Sequence, residues 1–103
     1  MVDAASLLEQ VNQEIRDNKV IVYSKTYCPY CVRAKELLTS KGVAYKVVEL
    51  DEVSNGDAIF NALKTKTNQN TVPNIFINNE HIGGNSDLQA LNADGKLNAK
   101  LGL

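Results

Sequence analysis

The chain contains two cysteines, and they stand together as Cys28-Pro29-Tyr30-Cys31. The thiolate is the attacking species in thiol–disulfide exchange, so the first question is where each sulfur can carry charge. Cys28 falls at or just before the start of a helix, where unpaired N–H groups and the helix dipole favour an anion. Its thiolate is therefore expected to be stabilised and to attack. Cys31 projects from the first turn and is expected to be more shielded, yet close enough to close a short disulfide and displace whatever becomes attached to Cys28. Pro29 suits the first helical position because its missing N–H has no partner there. Between Lys25 and Lys46 the charged residues are Lys25, Arg33, Lys35, Lys41 and Lys46 against Glu36 alone, so the motif sits in a basic stretch.

Other readings of the pair are an inert disulfide, two buried thiols or part of a metal site. Zinc and iron–sulfur centres usually take four protein ligands, and only His81 could plausibly join the two sulfurs. A C-x-x-C pair opening a helix after a buried strand fits redox chemistry better. His81 is expected to face solvent on a hairpin rather than to act as a base.

Two further stretches carry possible chemistry. Thr71-Val72-Pro73 precedes a strand, where Pro73 either ends a loop or forms a cis bond that turns the Val72 backbone toward an extended ligand beside Cys28. Gly83-Gly84-Asn85-Ser86-Asp87 is either a hairpin exit with a helix cap or a carboxylate seat made from helix N-terminal N–H groups. With Lys25 at the other end, such a seat would suit a small peptide bearing two carboxylates.

The elements that must position these residues follow from periodicity. Leu7, Leu8, Val11 and Ile15 mark an amphipathic helix, begun by Asp3 or by a Ser6-to-Glu9 capping box and ending near Asn18. Val20-Ile21-Val22-Tyr23 reads as a strand buried on both faces. Ala34, Leu37 and Leu38 give the cysteine helix its inward face, and Gly42 closes it. Tyr45, Val47, Val48 and Leu50 predict a second strand, and Ile59, Ala62 and Leu63 a third helix. Ile75-Phe76-Ile77, Asn78-Asn79 and Glu80-His81-Ile82 predict a hairpin. Ser86 or Asp87 is expected to cap a helix through Leu88 and Leu91, with a last turn at Leu97 and Leu101. A parallel pair followed by a hairpin makes a mixed sheet with helices on its faces, an α/β fold.

Composition agrees with one domain spanning 1–103: the chain is 44% hydrophobic and 22% charged, ordinary globular usage without repeats or low-complexity tracts. A net charge of −1 offers no global field for nucleic acid or an anionic membrane. No apolar run approaches the roughly 20 residues of a bilayer span, and Met1 to Ser6 lacks the layout of a secretory signal. A soluble, cytoplasmic monomer is expected, unless a targeting segment has been removed.

Taken together, Cys28-Pro29-Tyr30-Cys31, Thr71-Val72-Pro73 and Gly83-Gly84-Asn85-Ser86-Asp87 resemble the dithiol glutaredoxins in order and approximate spacing, across nearly the whole chain. Thioredoxins characteristically carry Cys-Gly-Pro-Cys beside a tryptophan, which this chain lacks. The resemblance implies a thioredoxin-like three-layer fold, a four-stranded mixed sheet flanked by about five helices. It implies glutathione as reducing cosubstrate, no metal, and glutathionylated or disulfide-containing proteins as partners, with glutathione reductase acting indirectly. Cys28 would attack, and Cys31 would complete the reduction of protein disulfides. Lys25 would meet the glycine carboxylate of glutathione, Tyr30 would line the groove, and Val72 would pair with the ligand backbone beside Thr71 and a cis Pro73. Gly84, Ser86 and Asp87 would receive the γ-glutamyl end. Phe60 and Asn70 stand where relatives often carry glutamine and arginine, which leaves Lys25, with Gln69, to hold the glycine carboxylate. The alternative is an iron–sulfur carrier held by Cys28 from two subunits and two glutathione thiols; Pro29 argues against it, because cluster-binding relatives usually lack that proline.

Overall fold

The computed structural model describes residues 4–103. Helix α1 (Ala4–Asp17) buries Leu7, Val11 and Ile15 along one stripe. The expected cap Asp3 lies outside the described residues. Ser6 sits inside the helix, so the Ser6-to-Glu9 box does not mark its start.

Strand β1 (Val20–Ser24) is buried at every position, as an uninterrupted apolar run between two helical layers requires. Helix α2 (Pro29–Ser40) follows, with Pro29 at its first position, and Gly42 takes a left-handed φ of 73° just past its end. Strand β2 (Lys46–Glu49) is shorter than the sequence suggests. Tyr45 lies before it with its hydroxyl 3.1 Å from the Lys35 carbonyl oxygen, and Leu50 continues past it through a 2.8 Å N–H bond to the Ser24 carbonyl. Helix α3 (Gly56–Thr67) opens on a glycine, at a position where a Cβ would lie 1.8 Å from the Leu50 carbonyl oxygen.

Strands β3 (Asn74–Ile77) and β4 (Glu80–Gly83) form the expected hairpin, with Asn78 and Asn79 at φ 51° and 64°. Paired positive φ values give a tight turn whose twist matches the strands. Helix α4 (Asn85–Ala93) starts earlier than expected: Gly84 is its N-cap, which puts Ser86 and Asp87 inside the first turn. Helix α5 (Leu97–Leu101) ends the fold.

The sheet order is β2-β1-β3-β4, with β1 parallel to β2 and the remaining pairs antiparallel. Alternation along the strands then divides the core. Ile21, Tyr23, Val48 and Phe76 face α1 and α3, whereas Val20, Val22, Ile75 and Ile77 face Ala34 and Leu38 of α2, Leu88 of α4, and Leu97 and Leu101 of α5. The result is the expected three-layer thioredoxin-like arrangement of four strands and five helices.

Register decides where the site forms. Tyr23 pairs with Asn74 and Ile75 with Gly83, so the end of β1, the start of β3 and the end of β4 share one edge of the sheet. The segments carrying Cys28, Pro73 and Gly84 therefore leave the sheet at the same edge.

Candidate active site

Cys28 is the N-cap of α2, in extended conformation (φ −92°, ψ 113°). From there its Sγ accepts the Cys31 N–H at 3.2 Å, and its own N–H bonds the Lys25 carbonyl at 3.1 Å. An N–H directed at the sulfur from the first helical turn favours negative charge on it. The Cys28 thiol also reaches the Val72 carbonyl oxygen at 3.7 Å, a contact between residues 44 positions apart in the chain.

Cys31 is fully enclosed, at 0% exposure against 9% for Cys28, and both thiols are free. Burial, helped by the neighbouring Cys28 thiol, pushes the Cys31 thiol up to about 11. The two sulfurs thus differ in degree: both are buried, Cys31 more completely than Cys28, which sits on the helix cap.

Around them the loop before α2 is clamped to the end of β2. Asp51 accepts from the Thr26 N–H at 3.0 Å and also from the Thr26 hydroxyl. Those bonds, with Lys25 nearby, hold the Asp51 carboxyl below the usual carboxylate range. Lys25 is half-buried, with its Nζ 5.2 Å from the centre of the Phe60 ring. Phe60 supplies that lysine with a π face instead of a hydrogen bond. Tyr30 is exposed, and the Arg33 guanidinium lies 5.6 Å from its ring centre. Asn70 is exposed as well.

The Val72–Pro73 peptide is cis. Gln69 was expected to reach a ligand carboxylate, but its Nε2 is already committed to the carbonyls of Thr71 (3.1 Å) and Pro73 (2.9 Å). It braces the loop from behind. His81 is exposed on the hairpin, as expected, yet it is not unpartnered: its Nε2 lies 3.1 Å from Gln69 Oε1 and 3.0 Å from Asn74 Oδ1, and its ring lies against Phe76. Burial lowers the His81 pKa.

At the third motif the Asp87 carboxylate accepts the Gly84 N–H at 2.9 Å, so one of its oxygens caps its own helix. Gly83 makes that approach possible: at φ +117°, a Cβ there would lie 2.3 Å from Asp87 Oδ2. Ser86 and Asp87 remain exposed beside Gly84.

Sequence reasoning missed the Thr26–Asp51 clamp and the His81–Asn74 brace. The one signal for Asp51 was its place just after a strand parallel to β1, since parallel strands end on the same edge. Among the described residues no group of three or more His, Cys, Asp and Glu side chains converges on a possible metal position. The arrangement brings together the Cys28 sulfur and the Val72 backbone, whose N–H has no partner among the described residues, on segments that leave the sheet where Lys25 and the N-terminus of α4 also lie.

A family model described as glutaredoxin matches residues 20–82. The chain is 48% identical to glutaredoxin-C6 of Oryza sativa subsp. japonica over 90 residues, covering 87% of this chain and 80% of that one. It is also 48% identical to glutaredoxin-2 of Schizosaccharomyces pombe over 87 residues, or 84% and 79% of the two chains. Among solved structures, a buckwheat glutaredoxin–glutathione complex matches with a TM-score of 0.93 at 43% identity, covering 96% of this chain and 90% of that one.

Proposed function

This chain belongs to the glutaredoxin family of glutathione-dependent thiol oxidoreductases, and from that membership we propose that it reduces protein–glutathione mixed disulfides and protein disulfides, with Cys28 as nucleophile and Cys31 as resolving thiol. The observation that carries this reading is the Cys28 sulfur on the α2 cap, held between the Cys31 N–H and the Val72 carbonyl.

In the first reaction the Cys28 thiolate attacks the glutathione sulfur of a mixed disulfide. The protein thiolate leaves and takes a proton, and Cys28 keeps glutathione as a mixed disulfide. A second glutathione thiolate then attacks that bond, giving glutathione disulfide and restoring Cys28. With a protein disulfide, the Cys28 thiolate attacks one sulfur and the other leaves as a thiolate that takes a proton; Cys31 then loses its proton and attacks the Cys28 sulfur of that mixed disulfide, releasing the second protein thiol and leaving Cys28 and Cys31 oxidised. Two glutathione molecules then reduce them. A buried thiol pushed up to about 11 suits this second role, because it stays protonated until an adjacent disulfide is available.

Glutathione lies extended across the groove in this reading. Its cysteine backbone pairs with Val72 beside Thr71 and Pro73, and Tyr30 covers one side. Lys25 meets the glycine carboxylate. The γ-glutamyl end meets Gly84, Ser86 and the free oxygen of Asp87, at N–H groups that favour an anion. Gln69 contributes through the loop carbonyls it holds.

The test is turnover of a small glutathione mixed disulfide with glutathione and its reductase. Cys28→Ser is expected to abolish turnover, and Cys31→Ser to retain it while losing reduction of a protein disulfide. Retained turnover without Cys28 would sink the assignment.

A further inference from the structure

Four polar side chains behind the Thr71-Val72-Pro73 loop form a network with one consistent set of donors and acceptors. Gln69 Nε2 faces two carbonyl oxygens, Thr71 at 3.1 Å and Pro73 at 2.9 Å, so the amide nitrogen must stand there and the amide oxygen must face His81. That oxygen and Asn74 Oδ1 lie 3.1 and 3.0 Å from the same His81 nitrogen, so Nε2 carries the hydrogen and donates to both. Asn74 is 1% exposed; its Nδ2 donates to the Thr67 hydroxyl oxygen at 3.4 Å, which in turn donates to the Leu63 carbonyl at 2.8 Å. The chain of bonds runs from helix α3 through β3 and β4 to the loop without a mismatched pair.

Its end point is specific. The carbonyls of Thr71 and Pro73 flank Val72, and one amide holds both, while among the described residues the Val72 N–H has no hydrogen-bond partner. If the Gln69 amide turned over, its oxygen would face two carbonyl oxygens and its NH₂ would face the His81 N–H, losing every bond at once.

We propose that His81 and Asn74 are positioning residues that act through Gln69, fixing the amide in the one orientation that pins both carbonyls around Val72 and so presents the Val72 backbone to the ligand of Cys28. The proposal rests on the reading that glutathione pairs with Val72. Protonation of His81 leaves its Nε2–H in place, so the device is steric and directional and does not work as a pH switch; Asp87 and Lys66 act on the ring in opposite senses.

The experiment compares His81→Leu, His81→Gln, Gln69→Ala and the double variant His81→Leu/Gln69→Ala. Leucine keeps apolar packing on Phe76 but donates no hydrogen bond, and glutamine places an amide nitrogen near the Nε2 position. In steady-state assays on a small glutathione mixed disulfide, His81→Leu is expected to raise KM about fivefold with a smaller change in kcat, the scale of one lost hydrogen bond. His81→Gln should restore most of that loss. The double variant should be no worse than Gln69→Ala alone, because both changes remove the same clamp. Amide relaxation by NMR should show a lower order parameter at Val72 in His81→Leu and in Gln69→Ala. An unchanged KM and an unchanged Val72 order parameter in His81→Leu would overturn the proposal, as would losses that multiply in the double variant. Absence of wild-type turnover on any glutathione substrate would instead overturn the functional reading, and the Val72 order parameters would still decide the clamp.

Discussion

Burial of Cys31 sets a pH dependence that can be measured on a variant in which it is the sole thiol. Cys28→Ser removes the neighbouring sulfur, a smaller raising cause, and leaves the enclosure of Cys31, the largest cause of its raised pKa, so about 11 is the upper limit for the variant. At pH 7 a thiol of that pKa is ionised to about one part in 10⁴, against about 3% for an ordinary cysteine near 8.5, so ionisation alone slows attack on an alkylating agent ~300-fold. Raising the pH to about 10.5 brings the buried thiol to roughly one-quarter ionised, a gain of ~2,500-fold, whereas an ordinary thiol gains only ~30-fold because it saturates. The assay is the rate of iodoacetamide labelling of Cys28→Ser across that pH range, read by mass spectrometry with a cysteine peptide as reference. The absolute rate should lie below the ionisation ratio, since the sulfur at 0% exposure must also be uncovered before it reacts. A labelling rate at pH 7 within about tenfold of the peptide, or a gain near the ordinary value, would refute the inference that burial keeps this thiol protonated.

Other changes test the scaffold. His81 is the chain's one histidine, so its NMR titration is unambiguous and should fall below the ordinary value of 6.5. Because that pKa is lowered, the stability linked to neutral His81 is present above the unfolded value and is lost as the pH falls from there through the lower folded value. The Asp51 carboxyl is also held low, so its contact with Thr26 contributes above the usual carboxylate range and is lost as the pH drops. Asp51→Asn should flatten the acid limb of the denaturation midpoint against pH, and superimposable limbs would count against the clamp. Gly83→Ala should cost about 1–3 kcal/mol in urea unfolding, through its positive φ and the collision with Asp87. Leu38→Ala, at a fully enclosed site beneath α2, should cost about 2–5 kcal/mol in the same assay.

Much of the fold follows from local pattern. The unbroken apolar run of β1 announced a strand covered on both faces, Pro29 announced the start of α2, and Asn78-Asn79 announced a two-residue hairpin turn. Element ends were less readable, because they depend on contacts made elsewhere. Strand β2 stops at Glu49 although Leu50 looks like part of it, and Gly84 rather than Ser86 or Asp87 caps α4, the Asp87 carboxylate reaching back to its N–H.

By itself the sequence determined where the two thiols stand on α2, the first on the cap and the second in the first turn, since cap position and proline placement are properties of neighbouring residues. Only the tertiary structure decided what surrounds them. The antiparallel pairing of Tyr23 with Asn74 brings Val72 to Cys28 across 44 positions of chain, and the β3–β4 hairpin swings His81 behind the same loop. It also bonds the Gln69 amide, expected to hold a ligand, to the carbonyls on either side of Val72. A side-chain amide has several possible partners, and which of them it finds depends on distances that arise only when distant segments pack together.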